Sequence, residues 1–190
     1  MKKVYIILTH TGTIVSRLIK YYTRHEFSHV SIALDEELNK MYSFGRLNPY
    51  NTFIAGFVNE KIDAGTFKRF KKTKSAVYSL DITDEQYEKV EQAILKVEQE
   101  RDKYSFNMLG LVYAAFDKKR NKEYCLYCAE FVKYVLEEAK IELGLPKVIK
   151  PEYFKSLPEL KLIYKGLLKK YPDRDKNEED YIVIRESIRV

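Results

Sequence analysis

Apolar positions recur along this chain at two periods, and the period changes near residue 83. Residues 3–9 (KVYIILT) are β-branched and aromatic, which predicts a strand. Thr11-Gly12-Thr13 then opens a helical pattern with Ile14, Leu18, Tyr21 and Tyr22 on one face. In residues 26–35 (EFSHVSIALD), Val30, Ile32 and Leu34 alternate with His29, Ser31 and Ala33, as a strand covered on both faces would. One face is bulky; the other is small apart from His29 and leaves room for close packing. Residues 35–40 are turn material, and residues 41–44 begin a partner strand that makes a hairpin. Gly, Pro and Asn punctuate residues 45–56, which predicts a loop. Residues 57–62 and 75–82 are further strands, with a basic loop between them.

Helical spacing takes over at Thr83. Thr83 and Gln86 match a capping box, and Tyr87, Val90, Ala93, Ile94 and Val97 keep one face to about residue 101. Residues 104–116 (YSFNMLGLVYAAF) predict a more apolar, buried helix, and residues 117–123 a charged connector. Residues 124–140 (YCLYCAEFVKYVLEEAK) are strongly amphipathic. Val132, Val135, Leu136 and Ala139 share a face with Cys128, Phe131 widens it, and Lys133, Glu137 and Lys140 take the solvent side. Gly144 and Pro146 end the segment after that helix. Pro151 and Pro158 bracket a short helical piece, and residues 159–169 predict a last helix. Residues 172–190 are a charged linker leading to a tail or closing strand. The pattern predicts one α+β domain over residues 1–190, strand-rich first and helical afterwards.

Composition narrows the class. A chain of 190 residues with 45% hydrophobic and 33% charged positions is globular, with length enough for one sizeable core. No apolar run approaches the roughly 20 residues that span a bilayer, so no transmembrane segment is expected. The apolar run at residues 4–8 is shorter than a signal core, which predicts a cytoplasmic protein. Two cysteines three residues apart give no disulfide framework and suit a reducing compartment. The net charge of +6 is mostly interspersed, and no nucleic-acid partner is expected. One cluster stands apart: Lys68, Arg69, Lys71, Lys72 and Lys74 in FKRFKKTK. It is either a solvated loop or a contact for an anionic surface.

Three residue sets bear on chemistry. Cys128 points inward from the first turn of its helix, where the helix dipole favours the reactive thiolate; a buried small hydrophobe is the other reading. Paired with His29, each on a core-facing side of its element, it makes a thiol–imidazole couple that needs a third polar group to orient the ring. Cys125 and Cys128 with His25 and His29 also number four zinc ligands, but they lie in the reverse of zinc-finger order and far apart in the chain. A redox CxxC normally comes after an early strand, whereas this one comes after a helix and a charged connector. His10, beside Thr9, Thr11 and Gly12, has too little glycine around it for a phosphate loop.

FSHVSIALD, with YCAEFVKYVL nearly a hundred residues later, resembles the circularly permuted branch of the NlpC-type, papain-like cysteine hydrolases. That branch includes the YiiX-like proteins and, more remotely, the lecithin retinol acyltransferase relatives. The resemblance covers roughly residues 3–139 and implies an antiparallel sheet packed against the helix that carries the cysteine. It implies Cys128 as nucleophile, His29 as general base and no cofactor. The third polar residue of the family falls on the next strand, where this sequence has Ser43, with Glu60 as a substitute. Glu130 belongs to the motif and is expected to fix the helix. Tyr42, Arg46 and Tyr127 are the implied substrate-binding residues. The implied activity is that of a cysteine amidase or peptidase acting through a thioacyl intermediate. A lipid acyltransferase or thioesterase, or a non-catalytic binding module, would share the fold, with a small amide, a peptide or a lipid-like molecule as substrate.

Overall fold

The computed structural model describes residues 1–12, 26–107 and 124–171, apart from the side chains of Thr52 and Phe53. The helix expected after Thr11, most of the apolar helix expected at 104–116, the connector at 117–123 and the tail at 172–190 lie outside the described residues.

Six strands form one antiparallel sheet: β1 (Lys2–His10), β2 (His29–Ala33), β3 (Met41–Asn48), β4 (Asn51–Glu60), β5 (Lys74–Ile82) and, after two short strands, β8 (Lys161–Leu167). Their order across the sheet is β4-β3-β2-β1-β5-β8. β1 is central, with Tyr5 facing Ala33 on one side and Ser79 on the other. Its residues from Val4 to Leu8 are buried, as a strand covered on both faces requires.

Two helices cover one face. α1 (Gly65–Arg69) is a single short turn elsewhere, in the basic segment; α2 (Asp84–Gln99) and α3 (Cys128–Glu138) are the covering pair. α2 starts where the capping box predicts: Thr83 Oγ1 accepts from the Gln86 N–H at 3.1 Å and Gln86 Oε1 from the Thr83 N–H at 3.0 Å. α3 lays Phe131, Val132, Val135 and Leu136, all fully buried, into one core with Val4, Ile6, Leu8, Val30 and Ile32. A second cluster on the opposite face joins Tyr5, Ile7, Ala33, Met41 and Val77 to Phe67, Leu168 and Tyr171.

Three elements differ from expectation. Residues 45–56 are not a loop: β3 runs to Asn48, the chain turns at Pro49–Tyr50, and β4 returns. Gly45 and Gly56 sit opposite each other within the ladder, and the actual turn is held by Asn48 Oδ1 accepting from the Tyr50 N–H at 2.8 Å. Ser105–Phe106 forms β6, paired in parallel with β7 (Cys125–Leu126), so the expected helix does not begin at residue 104. The segment expected as a last helix is strand β8. Its local spacing fits a helix, but the outer edge of β5 presents ladder groups that need a partner, and β8 supplies them from Lys74 to Ser79. The prolines at 151 and 158 do bracket a 3₁₀ turn, Pro151–Ser156.

Candidate active site

Cys128 is the first residue of α3. The strand β7 ends just before it, and Tyr127 provides the extended cap from which the helix starts. The Glu130 carboxylate reaches back, with Oε2 accepting from the Tyr127 N–H at 3.2 Å and from Asn107 Nδ2 at 3.4 Å. That fixes the helix start, the task expected of Glu130. Cys128 is 3% exposed and Cys125 9%; both are free thiols. The Cys128 N–H belongs to the first turn, where backbone donors have no acceptor within the helix.

His29 opens β2. By alternation it shares a face with Ser31 and Ala33, and α3 packs on the other, bulky face of Val30 and Ile32. The ring is nevertheless close enough to the thiol for the Cys128 side chain to help raise the imidazole pKa. On its other side His29 Nε2 lies 3.0 Å from Glu60 Oε1. Glu60 is the last residue of β4, two strands away from β2, and its side chain reaches the ring. Ser31 Oγ donates to Glu60 Oε2 and lies 3.4 Å from His29 Nε2. Gly45 makes the arrangement fit: a Cβ there would stand 3.3 Å from His29 Cε1 and 3.4 Å from Glu60 Oε1.

This geometry sets the electrostatics. Burial works against a charged imidazole, but the Glu60 carboxylate and the Cys128 side chain outweigh it and raise the His29 pKa from 6.5 to about 10. The direction of that shift favours the protonated ring beside the Glu60 carboxylate.

Ser43, expected to orient the ring, is buried and its hydroxyl donates to the Val30 carbonyl at 2.7 Å; the carboxylate beside the ring is that of Glu60. Ser43 on β3 has a backbone acceptor on the adjacent strand, whereas the longer Glu60 side chain reaches His29 from two strands away. Tyr127 is buried in the core, its hydroxyl donating to the Ile149 carbonyl at 2.7 Å. Tyr42 is half-buried on the helix side, its ring 6.0 Å from that of Phe57, and burial together with Glu98 pushes its phenol up. Arg46 lines a cleft of about 220 Å³ with Leu47, Glu60 and Phe67. That cleft reaches Glu60 from behind and does not include Cys128.

Ser31 was missed by sequence reading. Its signal was present: a hydroxyl two residues after His29 on the same strand face. Among the described residues no three His, Cys, Asp or Glu side chains gather as a metal site, and Cys125 Sγ lies 2.8 Å from Ser105 Oγ. His25 lies outside the described residues.

No protein-family model matches the sequence, and no curated protein matches it. A solved structure does match: the metalloprotein yiiX of Escherichia coli O157:H7, 15% identical, with a TM-score of 0.51 over 87% of this chain and 97% of that one. The described donor set does not by itself fit a metal. At that identity the likeness is one of fold, and the fold is that of the YiiX-like, permuted papain-like proteins that the His29 and Cys128 motifs resemble.

Proposed function

We propose that this chain is a cysteine hydrolase that cleaves an amide or peptide bond through a Cys128 thioacyl intermediate. The observation that carries the reading is His29 held between Glu60 and Cys128. A protonated imidazole beside the sulfur would stabilise the negative charge that a nucleophilic thiolate carries. The thiolate sulfur attacks the carbonyl carbon, and the carbonyl oxygen takes the negative charge. The first-turn N–H of Cys128 is positioned to donate to that oxygen. The C–N bond then breaks, the imidazolium proton passes to the departing amine, and a thioester remains. Water attacks the thioester while the now neutral His29 accepts its proton. The C–S bond breaks, the carboxylic acid leaves, and the thiolate–imidazolium pair is restored. Glu60 takes no proton; it orients the ring and stabilises its charge, as the carboxylate of a triad does.

Among the described residues no helix is long and apolar enough to cross a membrane. Two free thiols fit a reducing compartment and support a cytoplasmic site of action.

Alkylation tests the reading. By exposure alone Cys125 should react first, since Cys128 is the more buried of the two. Iodoacetamide is expected to label Cys128 well ahead of Cys125, and His29→Ala to abolish that preference. A substrate-mimicking electrophile should label the wild type and not Cys128→Ala. Equal, slow labelling of both thiols in the wild type would overturn the proposal.

A further inference from the structure

The β3–β4 hairpin runs past the His29 end of β2 and carries three exposed apolar side chains. Leu47, Tyr50 and Ile54 are 53%, 80% and 47% exposed. Isolated exposed apolar residues need no explanation, but three on one hairpin beside a basic segment do. That basic segment is fastened to the hairpin. Arg69 Nη1 donates to the Pro49 carbonyl at 2.9 Å, and its guanidinium lies 4.1 Å from the centre of the Tyr50 ring. Arg46 lies 5.8 Å from the Phe70 ring. Phe67, 5% exposed, anchors α1 in the second core cluster and leaves Lys68, Lys71 and Lys72 exposed on the segment. Asp63 is an exposed acid in the turn that leads into α1.

A nucleic acid would satisfy the lysines but would give Leu47 and Ile54 nothing apolar to enter. An anionic bilayer supplies both, with phosphates at its surface and hydrocarbon beneath. A tyrosine capped by an arginine suits the level between them. We propose that the β3–β4 hairpin tip and the basic turn around α1 form a docking face for anionic phospholipid bilayers. Gly45, which packs on the His29 ring, precedes the turn residue Pro49 by four positions. At strand rise this places the ring on the order of 13 Å from the tip. The docked protein thus holds its thiol–imidazole site close to the membrane surface. The docking face stands independently of whether Cys128 is a nucleophile.

The chain contains no tryptophan, so Tyr50→Trp gives a single reporter at an exposed position. Its emission is expected to shift to the blue with phosphatidylcholine–phosphatidylglycerol vesicles and not with phosphatidylcholine alone. High salt should reverse the shift. Replacing Lys68, Lys71 and Lys72 together with Gln should weaken vesicle co-sedimentation by roughly tenfold or more, given the strength of surface lysines toward anionic lipid. Leu47→Ser with Ile54→Ser should abolish the blue shift while leaving the melting temperature unchanged. Should the lysine variant fail to fold, the salt titration of Tyr50→Trp reads the same electrostatic contribution. Cys128→Ala should bind vesicles as the wild type does, which separates this result from the catalytic one. A reporter that responds to neither vesicle, or to both equally, overturns the proposal. So does one that responds to a duplex oligonucleotide and not to vesicles.

Discussion

The two faces of the sheet are built from the same strands and hold different kinds of residue. Toward α2 and α3, β1 and β2 present Val4, Ile6, Leu8, Val30 and Ile32, an apolar surface covered by apolar side chains. The opposite face buries Thr9, Ser31, Ser43, Ser75, Ser79 and Glu60 beside Tyr5, Ile7, Ala33 and Met41. Burying hydroxyls and a carboxylate costs free energy unless each finds a partner, so such a face is held by direction rather than by area. Several partners are visible: Ser43 donates to Val30, Ser75 to Gly166 at 3.3 Å, and Ser31 to Glu60. The helix face makes the fold stable. The polar face aims one ring, and His29 lies where that face ends.

The sharpest test of this division is Phe131→Ala on the helix face. Phe131 is fully buried, with ring centres 5.4 Å from Phe44 and 5.7 Å from Phe57. Its loss should cost about 3–5 kcal/mol in urea unfolding. In whatever fraction stays folded, the His29 titration monitored by NMR should be unmoved. A large shift of that titration would break the comparison, because the two faces would then be coupled.

Next in size is Glu60→Gln. Without the carboxylate, the burial that opposes the imidazolium gains the upper hand, and the His29 pKa should fall well below its value of about 10. The folded chain holds a proton that the unfolded chain releases between pH 6.5 and about 10. The contribution to stability is therefore complete below pH 6.5 and is lost as pH rises through about 10. Wild-type melting temperature should decline over that alkaline window, and Glu60→Gln should flatten the decline. The smallest effect is expected for Ser43→Ala. It removes one buried hydrogen bond, worth roughly 1 kcal/mol, and should leave both the His29 titration and the Cys128 labelling rate in place. A change in either would return Ser43 to the ring.

Much of this was legible in residue spacing. β1, β2, β5, the capped start of α2 and the buried stripe of α3 each arise from a local period or a cap, and the structure has them within a residue or so, α3 apart, which starts at Cys128. What was not legible depends on distant partners. β8 is a strand because the edge of β5 requires one, a demand that appears nowhere in its own seven residues. Gly45 and Gly56 read as loop punctuation, yet they sit inside a ladder because side chains from neighbouring strands crowd them. Glu60 could be named only as a substitute for Ser43, since nothing in β4 alone reveals that its last side chain meets a ring two strands away. Cys128 and His29 could be named as a candidate pair because both sit in short, distinctive motifs; Glu60, whose carboxylate lies against the ring, sits in none.

Gly45 gives the molecule a dial rather than a switch. A methyl group there would stand 3.3 Å from the ring, tighter than ordinary contact, and 3.4 Å from the carboxylate, at its edge. To fit it, the ring would have to give by a few tenths of an ångström, which changes the alignment without a collision. Gly45→Ala leaves sulfur, imidazole and carboxylate chemically intact while tilting one against another. For anyone wishing to tune turnover by protein engineering, this one hydrogen atom is the adjustment screw.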